Sequence, residues 1–229
     1  MRFETFLSPE DAARASRGLE KLRSCGLRDF ALTGSLAMEL QLVAPRSRRL
    51  NDIDIVVSSF DSLPSSLAGA FLFRHIHPGA IEGKTLMQLI DAELAIRIDV
   101  FRECGATLQR SKAALVSLQD LAARAARVVL DLEAGLPVPR KHADDFLRLE
   151  PTVNSDLAEI AWRDHRKNRS PATFREAARR IHELIQSRHQ LLITPEYSQD
   201  VNAVCEQCDD TVSFRRAPAA TIRAILGYC

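Results

Sequence analysis

The chain has no apolar run long enough to cross a membrane: its longest, such as Ala92 to Ile98, are short and broken by charge, against the roughly 20 residues a spanning helix needs. It has almost no net charge, with 31 Lys plus Arg set against 30 Asp plus Glu, so no overall field draws it to nucleic acid or to a membrane surface. Any such affinity is local. Aromatic residues are few, at 6%, with one Trp and two Tyr, which gives little material for base-stacking platforms. The five cysteines are odd in number, and a chain of 229 residues can bury a core without staples, so reduced thiols fit better than a disulfide framework. The segment Met1-Arg2-Phe3-Glu4-Thr5-Phe6 lacks the basic start and apolar core of a secretory signal. A cytoplasmic protein is expected.

What is present changes character once, at residues 108 to 116. Before that stretch, Phe30 to Leu32, Ile53 to Val57, Phe71 to Ile76, Leu86 to Ile90 and Ala95 to Arg102 read as strands. Between them Ser35 to Val43 and Leu63 to Ala70 read as helices, and Pro9 to Ser24 as an opening helix capped by Ser8. Beyond it, Leu118, Leu121, Ala122, Ala125, Val128, Val129 and Leu132 lie on one helical stripe that Gly135 and Pro137 stop. Further helices are predicted at Lys141–Leu149, Ser155–Lys167, Pro171–Arg188 and Gln199–Gln207, with a last one opened by Pro218 and ended by Gly227. The expected fold class is α+β (mixed α/β): a mixed sheet with flanking helices over residues 1–112, then a helical bundle over 113–229 that walls one side of a cleft.

The chemistry concentrates in Leu32-Thr33-Gly34-Ser35-Leu36 and, after a loop, Asn51-Asp52-Ile53-Asp54-Ile55-Val56-Val57. Strand alternation sends Asp52 and Asp54 to one face and Ile53 and Ile55 to the other. Two carboxylates side by side raise each other's pKa unless a cation lies between them, and hard oxygen donors at this spacing suit Mg²⁺. Asp99, in the alternating Ile96-Arg97-Ile98-Asp99-Val100, supplies a third acid, and three acids on adjacent strands can hold two metals that clamp an in-line displacement. A solvated sheet edge is the ordinary alternative for Asp-x-Asp. Gly34-Ser35 falls where a strand turns into a helix, offering free N–H groups and a hydroxyl to an anion; alone, it is more often a plain turn.

In this order and spacing, Gly34-Ser35, Asp52-x-Asp54 and Asp99 resemble the signature of the DNA polymerase β-like nucleotidyltransferase superfamily. That group includes aminoglycoside and lincosamide nucleotidyltransferases and the AbiEii- and MenT-type toxins. The resemblance covers about residues 25 to 150: Leu118 to Val129 followed by Lys141-His142-x-x-Asp145 is similar to the helices after the sheet in AbiEii-like members. Arg48 matches an arginine of that group, whereas Leu50 stands where many AbiEii-like members have Thr. The resemblance implies transfer of a nucleoside monophosphate from an NTP to a hydroxyl with release of pyrophosphate. It implies Asp52, Asp54 and Asp99 as ligands of two Mg²⁺ ions, with Mn²⁺ as a substitute, and Asp99 as general base. Gly34 and Ser35 would hold phosphates, Arg48 and Lys141 would screen charge, and Asp145 would orient. The acceptor would be tRNA or a small hydroxylated molecule, and a toxin-like member would have an antitoxin protein as partner. Alternatives are a non-catalytic nucleotide-sensing module and a phosphohydrolase using the same metals.

Other features have plainer readings beside functional ones. Pro45-Arg46-Ser47-Arg48-Arg49 is a basic loop or a solvated one. Between residues 159 and 190, eight Arg or Lys face four acids, a local excess suited to an RNA backbone. Cys205-x-x-Cys208 with Cys229 lacks the further ligands a structural zinc needs and reads as small buried hydrophobes. His75 and His77 read as strand-edge residues and Lys84 as a hairpin residue.

Overall fold

The computed structural model describes residues 1–76, 86–102, 105–194 and 211–214. Within these the protein is mixed α+β. The helices are α1 (Pro9–Ser24), α2 (Gly34–Gln41), α3 (Leu67–Ala70), α4 (Gly105–Arg110), α5 (Leu118–Val129), α6 (Arg140–Leu149), α7 (Ser155–His165) and α8 (Phe174–Ser187). The strands are β1 (Ala31–Leu32), β2 (Ile53–Val57), β3 (Leu72–Ile76), β4 (Leu86–Asp91), β5 (Ile96–Arg102), β6 (Val138–Pro139), β7 (Leu192–Ile193) and β8 (Thr211–Phe214). The chain forms two compact units. One comprises Met1–Leu108 and Ala113–Leu115 with β8; the other comprises Gln109–Lys112 and Val116–Glu196.

In the first unit α1 begins as its sequence dictates: Ser8 accepts the Asp11 N–H and Pro9 occupies the first turn, where its missing N–H costs nothing. The sheet runs β1-β2-β5-β4-β3-β8. Only β2 and β5 are parallel; every other neighbouring pair is antiparallel. Ile53, Ile55, Ile98 and Val100 are fully buried, each contributing about 2 kcal/mol by leaving water. α1 lies over this aliphatic face: a Cβ added to Gly18 would stand 3.2 Å from Ile53 Cδ1 and 3.5 Å from Ile96 Cδ1. The helix covers one side of the sheet, and the acids belong to the other.

Several elements differ from the sequence pattern, most by a residue or two at an end and three by more. The helix expected over Leu63–Ala70 is a single turn at Leu67–Ala70, preceded by a 3₁₀ turn at Phe60–Ser62. Pro64-Ser65-Ser66 favours turns over helix, and Phe71 is already extended to enter β3. The helix expected from Pro171 starts only at Phe174, because Thr173 takes the cap and accepts the Glu176 N–H. Thr211–Phe214, between the helices expected at Gln199–Gln207 and after Pro218 in the region assigned to the helical bundle, is a strand paired with β3. The helices expected at Gln199–Gln207 and after Pro218, the cysteines at 205, 208 and 229, His77 and Lys84 lie outside the described residues. No helix among the described residues is long and apolar enough to cross a membrane.

The second unit packs α5 to α8 around Leu121, Ala122, Ala126, Val129, Phe146, Trp162, Phe174 and Ile181, beside the short parallel pair β6 and β7. Trp162, the only tryptophan in the chain, is fully buried and donates its indole N–H to Pro171 O at 2.9 Å. A polar hub lies within this core. Asp120 is wholly buried and receives Arg110 on both oxygens, at 3.1 and 2.6 Å, the Ser117 hydroxyl at 2.5 Å, and His165 Nε2 at 3.0 Å. Burial alone pushes its carboxyl up, but the hydrogen bonds from His165, Arg110 and Ser117 outweigh it and hold the pKa at about 2. The same bond to Asp120 raises the Arg110 guanidinium.

A carboxyl depressed in the folded state stabilises above its unfolded pKa and loses that contribution as pH falls through its folded value. The second unit should therefore lose about 2 kcal/mol between roughly pH 4 and pH 2. Denaturant titrations followed by Trp162 fluorescence would show this, and Asp120→Asn should flatten the acid-side fall while lowering stability at neutral pH. An unaltered acid-side slope in that variant would rule the assignment out.

Candidate functional site

β1 ends at Leu32, and the Thr33 N–H donates to Asp54 O at 2.9 Å, so the chain is still tied to β2 when α2 begins at the next residue. Gly34 makes that turn with φ at +63°, a region where only glycine is unstrained. It also brings the backbone against Asp54: a Cβ built on Gly34 would overlap Asp54 Oδ2 and stand 2.9 Å from its Cγ. Thr33, at the helix cap, makes no side-chain cap bond. The first-turn N–H groups have no partner within the helix, and the positive end of its dipole adds to them.

The acids meet through strand register. β2 and β5 place Asp54 directly beside Asp99, and Asp52 lies one pleat before Asp54 on the same face. One ligand oxygen from each of Asp52, Asp54 and Asp99 lies within 4.8 Å of the other two. All three residues are half-buried, and Asp99 Oδ1 is fully enclosed. This is a hard, all-oxygen donor set of high charge, which fits Mg²⁺ or Mn²⁺ and not a soft metal. Glycine at position 34 lets the Asp54 carboxylate lie against the start of α2, where the Cβ of any other residue would overlap it.

The other expected site residues have different surroundings. Ser35, the second residue of α2, is half-buried beside Gly34. Arg48 is ion-paired to Glu39, its Nε 2.6 Å from Oε1. Glu39 is itself buried on α2 and also accepts the Arg46 N–H at 2.8 Å. With Arg48 N–H on Phe6 O at 2.8 Å and Leu50 N–H on Asp11 Oδ2 at 3.2 Å, this fastens the loop from Pro45 to Leu50. Arg48 is thus a structural anchor of that loop, while Arg46 and Arg49 expose their side chains. Lys141 and Asp145 lie on α6 in the second unit, exposed and half-buried respectively.

Breaking a mostly buried pair by removing one partner leaves a charge uncompensated. Arg48→Ala should cost about 3 kcal/mol of stability, whereas Arg49→Ala should stay within about 0.5 kcal/mol. Thermal unfolding of the two variants side by side checks this; equal, small shifts would remove the anchoring role.

Two residues on the acid face escaped the sequence reading. Arg97, two before Asp99 on β5, shares its face by alternation and is half-buried. Gln88 on β4 pairs directly with Asp99 and is 8% exposed. The first could have been found by applying to Arg97 the alternation already applied to Asp99. Gln88 is hidden within an otherwise apolar run.

The arginine-rich stretch of the second unit is partly neutralised by its own surroundings. Arg179 pairs with Glu183, Arg180 with Glu176 and Glu133, and Lys167 with Asp131. Arg163, Arg166, Arg169 and Arg175 are exposed.

No protein-family model matches the chain, and no curated protein matches it.

Proposed function

We propose that the first unit is a metal-dependent nucleotidyltransferase, moving a nucleoside monophosphate from an NTP to an acceptor hydroxyl and releasing pyrophosphate. The observation that carries this reading is the Asp54–Asp99 register with Asp52 beside it, bringing three carboxylate oxygens within 4.8 Å of one another. The helix terminus at Gly34, packed on Asp54, supports it independently.

Asp52, Asp54 and Asp99 would hold Mg²⁺, which when bound supplies Lewis-acid polarisation of the phosphate oxygens and offsets the charge of the three acids. The first-turn N–H groups of α2 and the Ser35 hydroxyl receive the anionic triphosphate. In the transfer step the acceptor oxygen bonds to the α-phosphorus and the bond from that phosphorus to the bridging oxygen breaks. Pyrophosphate leaves with the electron pair. The acceptor proton passes to an Asp99 carboxylate oxygen and then to water.

The reading takes tRNA as acceptor, with a small hydroxylated molecule as the alternative outcome; exposed Arg163, Arg166, Arg169 and Arg175 of the second unit would supply phosphate-binding groups and favour RNA. The test is incubation with Mg²⁺ and each α-labelled NTP in turn, with and without total tRNA, beside Asp54→Asn. Label on RNA with the unaltered protein alone is the expected result. Label on small hydroxylated compounds alone would move the acceptor class, and absence of both transfer and NTP binding would overturn the reading.

A further inference from the structure

Leu32 ends β1 fully buried, and its main-chain N–H points away from β2, because successive N–H groups of a strand face opposite edges. The next N–H, that of Thr33, donates to Asp54 O on the β2 side. A buried N–H left without an acceptor is costly. For Leu32 the acceptor is the carbonyl of Ala114, 2.7 Å away, and Leu115 then runs beside Leu32 as a parallel bridge. Ala113–Leu115 belongs with β1 to the first unit. A strand of only two residues is thus gripped on both edges.

That carbonyl is presented at a conformational cost. Ala113 and Ala114 have φ of +51° and +60°, the pattern of a type I′ turn, for which Asn-Gly is the preferred pair. Each alanine disfavours this region by roughly tenfold in population, since its Cβ crowds the following carbonyl. Among the described residues no other two neighbouring non-glycine residues share a positive φ. Strain of this kind persists only where the surroundings hold it, and it gathers at clamps and switches. The buried Leu32 N–H draws the turn closed, and the two alanines push it open.

What the turn grips decides what its closure does. Two residues beyond Leu32, Gly34 starts α2 with no room for a Cβ against Asp54. The α2 terminus therefore has little latitude while β1 is fixed, and it shifts with β1 when β1 is released.

We propose that the Ala113–Ala114 turn is a clamp near balance between a closed form, with Ala114 O on the Leu32 N–H, and a released form, and that a triphosphate at the α2 terminus completes its closure. This rests on the nucleotidyltransferase reading above and adds to it a conformational step that couples NTP binding to the edge of the sheet. A ligand shifts such a balance only by binding one form better, and the first-turn N–H groups of α2 make one fixed anion-binding set only while β1 is held. By linkage, a change that closes the turn in advance tightens NTP binding.

Amide hydrogen exchange at Leu32 reads the clamp directly. In the unaltered protein Mg²⁺ with inorganic tripolyphosphate should slow it by about tenfold. Ala113→Asn together with Ala114→Gly supplies the preferred turn pair; without ligand it should slow exchange by about tenfold and lower the Kd for NTP by about threefold. Ala113 is exposed, so Ala113→Val changes the backbone preference and little else; it should speed exchange and raise the Kd for NTP by about tenfold. Mn²⁺ affinity should stay within about twofold in both, because β2 and β5, not β1, hold the acids. The Asn-Gly variant keeps the test open if the valine variant does not fold.

A Leu32 amide equally protected in all three proteins and unmoved by tripolyphosphate overturns the clamp. Exchange that follows the turn while the Kd for NTP stays constant makes the turn a device of the fold alone and overturns its role in binding. Mn²⁺ affinity that changes in step with the Kd for NTP places the effect on the acids and overturns it equally. If the unaltered protein binds neither Mn²⁺ nor any NTP, the nucleotidyltransferase reading falls and this role with it.

Discussion

Asp54→Asn should lower nucleotidyl transfer by more than about a hundredfold and weaken Mn²⁺ binding, while the protein melts no lower than before. The two halves of this expectation have one cause. Asp54 is the middle member of the cluster, beside Asp99 in register and against Gly34 at the helix terminus. In the proposed reading its carboxylate would serve the metal and stand next to the helix terminus that receives the phosphates. Asn keeps the shape but removes the charge and one hard oxygen donor. Without metal the three carboxylates repel, by about 1 to 4 kcal/mol per pair at such distances depending on how much water screens them. Removing one charge therefore relieves the metal-free fold. A residue needed for packing behaves in the opposite way, since its loss lowers stability and activity together. Titration with Mn²⁺, thermal unfolding without metal and the labelled transfer assay separate the cases; transfer within tenfold of the unaltered protein would remove Asp54 from the machinery.

The faces of β2 and β5 were legible in the sequence because alternation is a local property: Ile53 and Ile55 flank Asp54, and Ile98 and Val100 flank Asp99, all four fully buried. The register was not. Asp54 and Asp99 are neighbours because β5 crosses back to lie parallel to β2 after β3 and β4 have intervened, and no local pattern specifies such a long-range pairing. Gly34 could be read as a turn residue. Its second role, closeness to Asp54, depends on β1 pairing with β2 and needed the fold. Arg48 shows the same limit: an arginine in a basic loop reads as available for phosphate, and its pairing with Glu39, nine residues earlier on a helix face, is set by the fold and not by local pattern. Gln88 was obscured by Met87, Leu89 and Ile90, which make the segment look like plain core. In the second unit the helical stripe was clear, yet Asp120 sits in the first turn of α5, where an acid is ordinary. Only the convergence of Arg110, Ser117 and His165 distinguishes it.

The second large effect is expected from the smallest substitution. Gly34→Ala adds one methyl group at a position that excludes it twice. The backbone at φ +63° costs a residue with a Cβ about 1 kcal/mol or more, and that Cβ would overlap Asp54 Oδ2. The strand cannot yield easily, because Ile53 and Ile55 on either side of Asp54 are locked into the core and Thr33 N–H holds Asp54 O. The carboxylate must swing away or the helix must lift off the strand. Either movement separates the α2 terminus from the acids, so under the proposed function transfer should fall by about a hundredfold, the scale of an angstrom-sized misplacement. Gly69→Ala is the matched control: a Cβ there meets nothing within 4 Å, and stability should change by less than about 1 kcal/mol. If Gly34→Ala melted lower but kept its transfer rate and Mn²⁺ affinity, the close approach of α2 to Asp54 would be a device of folding alone. Loss of transfer with Mn²⁺ binding intact would instead place the damage at the helix terminus, separating the phosphate half of the site from the metal half.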